Sequence, residues 1–171
     1  MRRFSWLCSY TVEFTVCAFC GWLYEILLEF AVYHGYTDRG LLHLPICPIY
    51  GVFGMILLLL FRKHDGAVIV FTVSTVLTTL LELASSYLLE HTVGYIPWNY
   101  SDWAWNFEGR ISLPSSLIFG VLSLILVKAV HPLIRKFHEK APDWLVCGLG
   151  VLFAVVILGD TLRTLILPRF L

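Results

Sequence analysis

Ionisable side chains interrupt several long apolar runs in this 171-residue sequence, where they could bind a polar ligand or a proton. They are Glu25 and Glu29 in the first run, Glu82 in a middle run, and Asp160 and Arg163 in the last. An ionisable group at membrane depth costs roughly 2.5–3.5 kcal/mol, so it normally faces protein or water and marks a functional site. These five residues are therefore the first candidates for chemistry.

The apolar runs that carry these charges are predicted membrane helices. Hydrophobic residues make up 58% of the chain and charged residues 14%, compared with roughly half and a quarter in soluble domains. A spanning helix needs about 20 mostly apolar residues. The predicted transmembrane helices are Tyr10–Tyr33, Pro45–Phe61, Ala67–Leu89, Ser115–Val130 and Trp144–Leu167. The sequence thus predicts an all-α polytopic membrane helical bundle, a single integral membrane domain over residues 1–171.

Two of the predicted spans have unusual ends, and the stretch between the third and fourth spans is aromatic. The second span is short and has Pro45 and Pro48 at its beginning, while the fourth is expected to end near Pro132. The aromatic stretch contains Tyr95, Trp98, Tyr100, Trp103 and Trp105. Tryptophan and tyrosine are enriched where membrane meets water. We expect an interfacial or re-entrant segment there.

The distribution of lysine and arginine predicts the orientation. Arg2 and Arg3 could begin a signal peptide, but Glu13 interrupts the apolar run and no A-x-A site follows, so we expect an uncleaved first helix. With the N-terminus inside, the cytoplasmic residues are Arg2, Arg3, Arg62, Lys63, Lys128, Arg135, Lys136 and Lys140. The remaining basic residues are Arg39, Arg110, Arg163 and Arg169. This bias predicts a cell-membrane protein with its N-terminus cytoplasmic and its C-terminus outside.

In this orientation the intramembrane charges share one depth. The first, third and fifth spans all run outward and carry their charges in their second halves, and Arg39 and Arg110 lie in outer loops. This predicts one outward-facing polar cavity with acidic walls. The structural alternative is a set of ion pairs: Glu25 with Arg39 or Arg110, Glu82 with Arg110, and Asp160 with Arg163.

Small residues predict where helices pack closely. Ser112, Ser116 and Gly120 are four apart, and Ser123 follows on the same face. In the last span the candidates are Gly148, Gly150 and Gly159. Small side chains at helical spacing let membrane helices approach each other, so packing is the expected role of both sets.

Several blocks of the sequence are similar to one membrane-protein family. They are "GWLYE" (residues 21–25), "DRGLLHLPICPIYG" (residues 38–51), Glu82, and "WNYSDWAWNFEGRISLPSS" (residues 98–116). With these blocks, the chain resembles the CmpB-like type IV ABC-transporter family of integral membrane proteins. The resemblance covers about residues 21–120 and implies a multi-pass protein with a transport role.

The candidate ligand-binding residues lie in or beside these blocks. They are Glu25, Arg39, Tyr50, Glu82, Trp98, Tyr100, Asn106 and Arg110, with Glu29, Asp160 and Arg163 as secondary candidates. We expect residues 38–51 to form one rigid lip of the cavity near the outer face, because Pro45 and Pro48 forbid regular helix. Asn106, Glu108 and Arg110 would belong to the opposite lip.

Three functions are compatible with this pattern. The first is a permease-like or substrate-binding membrane component, in which Arg39 and Arg110 meet an anionic group of a small solute or lipid headgroup. Glu25 and Glu82 would then meet a cationic group or a proton. The second is an intramembrane enzyme acting on a lipid-linked substrate, with the same glutamates as acid and base. The third is a scaffold.

The enzyme hypothesis lacks a convincing nucleophile. Ser115 and Ser116 lie near Arg110 in the sequence, but His43 is the only histidine candidate and is more simply a solvated loop residue. We therefore assign no catalytic residue, metal or cofactor. No G-x-x-x-x-G-K-[ST] loop is present, so an ATPase would have to be a separate subunit. The expected partners are membrane lipids, a second copy, or a membrane or ATPase subunit. The formal net charge of zero gives no indication of nucleic acid.

Overall fold

Helices form most of the structure. The computed structural model describes residues 2–33, 42–61, 65–94, 96 and 98–166. Its helices are α1 (Arg2–Tyr33), α2 (Pro48–Leu60), α3 (Ala67–Val93), α4 (Leu113–Ile125), α5 (His131–Lys140) and α6 (Asp143–Ile166). A π-helical turn, Leu126–Val130, joins α4 and α5 into one continuous helix. Two short strands, β1 (Asn106–Phe107) and β2 (Ile111–Ser112), pair antiparallel between α3 and α4.

Four helices of the described chain are long and apolar enough to cross a membrane. They are Ser5–Ala31, Ala67–Thr92, Leu113–Lys140 and Asp143–Thr164. This confirms the predicted all-α, multi-pass architecture. The second predicted span is only α2, with 13 residues. At 1.5 Å per residue α2 covers about 20 Å, less than a hydrocarbon core of about 30 Å, so the five predicted spans are four long helices and one short one.

The fourth predicted helix continues past Pro132, so the prediction that it ends there is wrong. A helical proline lacks a backbone N–H, and its ring clashes with the carbonyl four residues earlier, here that of Lys128. That carbonyl belongs to the π-helical turn Leu126–Val130. A π turn opens the hydrogen-bond ladder locally. The helix therefore absorbs the proline and goes on to Lys140.

The described residues form two compact units. The first comprises Met1–Ile56 and His131–Leu171, and the second comprises Leu57–Val130. α1, α5 and α6 belong to the first unit, while α3, α4 and the hairpin belong to the second. The single integral membrane domain stays a prediction, as does the position of the aromatic segment relative to the membrane.

In the first unit, α1 packs along α6, and the two helices are parallel. A Cβ on Gly150 would meet the backbone of Cys8, and further along both helices Ile157 packs against the cluster of Ala18, Leu42 and Ile46. Gly150 therefore has the predicted packing role. The Cβ positions of Gly148 and Gly159 have no atom of the described chain within 4 Å, so their packing role stays a prediction.

In the second unit, α3 and α4 pack antiparallel through small residues. A Cβ on Gly120 would meet the side chains of Phe71 and Thr75, and one turn away the Thr79 hydroxyl donates to Ser116 Oγ over 2.7 Å. The buried residues of α4 are Ser115, Ser116, Gly120 and Ser123. This confirms the predicted small-residue face.

The parallel packing of α1 and α6 predicts a specific disulfide. Gly150, which meets the backbone of Cys8, follows Cys147 by about one helical turn, so Cys147 lies on the face of α6 that packs near Cys8. A mild oxidant should therefore join them, and peptide mapping of the oxidised protein by mass spectrometry should recover the linked pair. Cys147→Ser should abolish the link and Cys20→Ser should not. A link that survives Cys147→Ser would contradict the packing.

Candidate functional site

The irregular residues 42–47 bring the proline-rich motif into the first unit. Pro45 cannot donate a backbone hydrogen bond, and neither can Pro48 at the start of α2. α1 supplies a partner, because the Cys47 N–H donates to the Ala18 carbonyl oxygen over 3.0 Å. Irregular backbone is tolerated at membrane depth only where it is buried in protein or lines a cavity. This segment meets that condition on at least one side.

The segment lies deeper along α1 than the sequence indicated. Ala18 is about halfway along the 32-residue α1, whereas the prolines were expected near the outer face. Ala18 is small and fully buried, and Leu42 and Ile46 pack on it. α2 therefore begins beside the middle of α1, an arrangement like the half-helices on which transporter sites are built.

The Asp160 carboxylate on α6 holds the same segment. One oxygen accepts hydrogen bonds from the backbone N–H groups of His43 (2.7 Å) and Leu44 (3.0 Å). The other lies 3.1 Å from His43 Nδ1, and the Thr164 hydroxyl lies 3.3 Å from that nitrogen. Two interpretations are therefore wrong for the described residues: Asp160 pairs with His43 rather than Arg163, and His43 is not a freely solvated loop residue.

The motifs of α1 and α2 meet at Tyr50. Its hydroxyl donates a hydrogen bond to the Glu25 carboxylate, and its Cβ and ring occupy the space that a Cβ on Gly21 would need. Gly51 accommodates the ring of Phe14 in the same way. Gly21 and Glu25 are four residues apart and share one face of α1. The structure thus brings together the predicted residues Glu25 and Tyr50.

The remaining predicted residues of the first unit have different environments. Glu29 follows Glu25 by one turn, and it is buried, at 7% exposed, whereas Glu25 is half-buried. Arg163 is exposed on α6. Arg39 lies outside the described residues, and so do Arg62, Lys63 and Arg169, on which part of the orientation prediction depends.

In the second unit, Glu82 of α3 pairs with Tyr100. Glu82 is 5% exposed, and its Oε1 accepts a hydrogen bond of 2.8 Å from the Tyr100 hydroxyl. The Tyr100 N–H donates to the Gly109 carbonyl over 2.8 Å, and the Trp98 indole donates to the Arg110 carbonyl over 2.9 Å. Three predicted residues, Glu82, Trp98 and Tyr100, therefore hold the hairpin against α3.

The Arg110 guanidinium is compensated by acids. It donates to Glu90 over 2.5 Å and to Glu108 over 3.3 Å. It also reaches Ser86 Oγ at 3.4 Å and lies 4.1 Å from the centroid of the Tyr87 ring. The hydrogen bond to Glu90 raises the pKa of Arg110 above its ordinary value. Arg110 is therefore a fixed cation held by two carboxylates.

This arrangement corrects the predicted pairing in the second unit. Arg110 pairs with Glu90 and Glu108, whereas Glu82 accepts from the uncharged Tyr100. The predicted Glu82–Arg110 pair is wrong. Whether the carboxylates of the sequence share one outward-facing cavity stays a prediction.

Asn106, predicted to face the ligand, shapes the hairpin turn. Its amide nitrogen donates to the carbonyls of Ser101 (3.1 Å) and Trp103 (3.0 Å), and its oxygen accepts from the Gly109 N–H (3.1 Å). Glu108 and Gly109 both have positive φ, at 52° and 66°. Asparagine therefore supplies the local hydrogen bonds that such a turn requires.

The serines considered as nucleophiles have structural roles. Ser112 caps α4: its Oγ accepts from the Ser115 N–H, and the Ser115 hydroxyl bonds to the Ser112 backbone in return. Ser116 accepts from Thr79 on α3. Both candidate hydroxyls therefore cap or pack helices.

Sequence reasoning missed three acids or acid pairs. Glu13 lies in the first predicted span and is buried, so the criterion that selected Glu25 should have selected it. Glu90 was not considered as a partner for Arg110. The His43–Asp160 pair joins residues 117 positions apart, which no local pattern can indicate. Within the described chain, no three histidine, cysteine or acidic residues are placed to hold a metal ion.

The anchoring role of Asp160 can be tested by substitution. Asp160→Ala leaves two backbone N–H groups without their acceptor and should lower the free energy of unfolding by at least about 2 kcal/mol. Arg163→Gln, one turn further on, should have little effect. Thermal unfolding in detergent measures both. If the two variants are equally damaged, the pairing of Asp160 with His43 is not the important contact.

Comparisons with known proteins give one match. The model of a family described as "Putative ABC-transporter type IV" (CmpB) matches residues 12–165. No curated protein and no solved structure matches the chain.

Proposed function

Because this chain belongs to the CmpB-like type IV ABC-transporter family, we propose that it is a multi-pass membrane transport or binding component. Its cargo would be a small solute or a lipid headgroup, held in a polar cavity that opens outward. The N-terminus would be cytoplasmic and the C-terminus outside.

The observation that carries this proposal is a tyrosine–glutamate hydrogen bond in each unit. Tyr50 donates to Glu25, and Tyr100 donates to Glu82. A tyrosine hydroxyl orients the carboxylate that accepts its hydrogen bond. Arg110 lies against two acids, Glu90 and Glu108, that offset its charge. The bonds that hold the motif segments therefore also fix the direction of two glutamates, and an ionisable group in an apolar helix is by default a functional hypothesis.

The electrostatics favour a ligand with a cationic or hydrogen-bond-donating group. Glu25 and Glu82 would receive that group, and Tyr50 and Tyr100 would set the direction of their carboxylates. Arg110 already pairs with acids of its own unit, so Arg39 is the arginine that would bind an anionic group of the ligand.

The His43 geometry argues against the alternative of an enzyme acting on a lipid-linked substrate. In a hydrolytic triad the carboxylate contacts one imidazole nitrogen and the nucleophile contacts the other. Here both Asp160 and Thr164 contact Nδ1. Within the described residues, this pair anchors the segment and does not present an activated nucleophile.

The proposal requires a partner. An ABC system needs an ATPase, and the phosphate-binding loop of such a subunit does not occur in this sequence. The chain would therefore act with a separate ATPase subunit, and with a second copy or another membrane subunit that completes the pathway.

Native mass spectrometry of the gently extracted, tagged protein tests this proposal. We expect an ATPase subunit to be isolated with the chain from its own host. If the chain arrives alone, or as a homodimer with a retained lipid, the transporter proposal fails. A lipid-handling carrier, an enzyme or a scaffold then becomes the better explanation.

A charge-neutral variant separates a functional glutamate from a structural one. Glu25→Gln keeps an oxygen that can accept from Tyr50, so its stability should stay within about 1 kcal/mol of the wild type. Exposed Glu139→Gln is the matched control. Collapse of the detergent-solubilised yield for Glu25→Gln alone would show that the charge is structural.

A further inference from the structure

A buried carboxylate, Glu13, lies on α1 away from the motifs. It is 7% exposed, and it belongs to the apolar stretch Ser5–Ala31. An ionisable group in such a stretch costs roughly 2.5–3.5 kcal/mol and normally faces a polar partner. None of the family-like sequence blocks includes Glu13, so packing of those motifs does not explain it.

The partner of Glu13 is His131, the first residue of α5. Its Nδ1 lies 3.5 Å from Glu13 Oε1, and the two side chains are 16% and 9% exposed. This separation exceeds the 2.7–3.2 Å typical of an N–H···O hydrogen bond. Nδ1 has no hydrogen-bond partner within the described part of the chain. At this distance the carboxylate would attract a protonated imidazole, and an unprotonated Nδ1 has a lone pair that can accept the proton.

Other ionisable groups surround the pair. The charge of Arg135 acts on both Glu13 and His131, and His138 acts on His131. On α1, Cys17 lies close enough to Glu13 to interact with its charge. α6, which packs on α1, carries Asp143, Cys147, Asp160 and Arg163. Of these, Asp160 contacts His43.

The helix is irregular next to His131. The π-helical turn Leu126–Val130 ends immediately before it, and Pro132 follows it. π turns occur frequently at functional sites. Histidine is also the side chain that changes charge between pH 5 and 8. A buried carboxylate, a histidine and a broken helical ladder therefore coincide.

We propose that Glu13 and His131 form a proton-binding site in the first unit. A proton from water would bind Nδ1 of His131 while the Glu13 carboxylate stabilises the imidazolium, and the same proton would return to water. This deepens the proposed transport function, on which its physiological role rests: the site would make the membrane component sensitive to pH, while the ATPase subunit supplies the energy for transport.

NMR of the full chain with labelled histidine rings tests the site. The sequence has six histidines, and His131→Gln assigns the signal of interest. In the wild type, the His131 signal should titrate. In Glu13→Gln its midpoint should fall by about one pH unit or more, because the negative charge that stabilises the imidazolium is removed. Exposed Glu139→Gln is the matched control, and the His43 signal should not move.

A second variant keeps the test decisive if Glu13→Gln folds poorly. Glu13→Asp retains the charge but withdraws it from the imidazole, so the midpoint should move less than in Glu13→Gln. The proposal is overturned if the wild-type His131 signal does not change with pH. It is also overturned if the His131 titration midpoint is the same in both Glu13 variants as in the wild type.

This result is independent of the transport proposal. If His131 titrates as expected but no ATPase subunit accompanies the chain, the proton site stands and the ABC-transporter role fails. If an ATPase subunit is found but the Glu13 variants leave the His131 titration midpoint unchanged, the proton site is wrong and the transport proposal stands.

Discussion

Polar groups at membrane depth must find their partners inside the protein, and this constraint shapes both units. Residues 42–47 cannot be helical because of Pro45 and the following Pro48, so their N–H groups bond to the Ala18 carbonyl and the Asp160 carboxylate. The short helix α2 can begin beside the middle of α1 only because those bonds exist. A break that would be costly in lipid becomes a fixed structural element.

The same constraint explains why glycine, tyrosine and glutamate occur together in the motifs. Gly21 leaves room for Tyr50 on the surface of α1, and the tyrosine then reaches Glu25 one turn away. In the second unit, Tyr100 reaches Glu82 from the segment before the hairpin, and its N–H donates to the carbonyl of Gly109, which has positive φ in the hairpin turn. Close backbone approach and hydrogen bonding of a carboxylate on an apolar helix are therefore two results of one arrangement.

The sequence predicts the parts of this structure that depend on local pattern. Long apolar runs predicted the four long helices, and small residues predicted the contact at Gly120. The continuation through Pro132 was missed because a proline predicts a break, whereas the preceding π turn appears only in the folded ladder.

Partner choice was harder to predict than helix position. Arg110 could have paired with several acids, and its choice of Glu90 and Glu108 depends on where the hairpin meets the end of α3. Asp160 had a neighbouring arginine at helical spacing but binds His43 from a distant segment. Both pairings depend on tertiary contacts. The spacing of residues along one helix carries no information about such contacts.

The central claim is that tyrosine–glutamate hydrogen bonds hold the motif segments to their helices. A double-mutant cycle of Tyr100→Phe and Glu82→Leu, with free energies of unfolding measured in detergent, tests it most directly, because leucine cannot accept the tyrosine hydrogen bond. The account predicts a coupling free energy of about 1 kcal/mol or more between the two side chains. A coupling indistinguishable from zero, with both single variants fully folded, would contradict it.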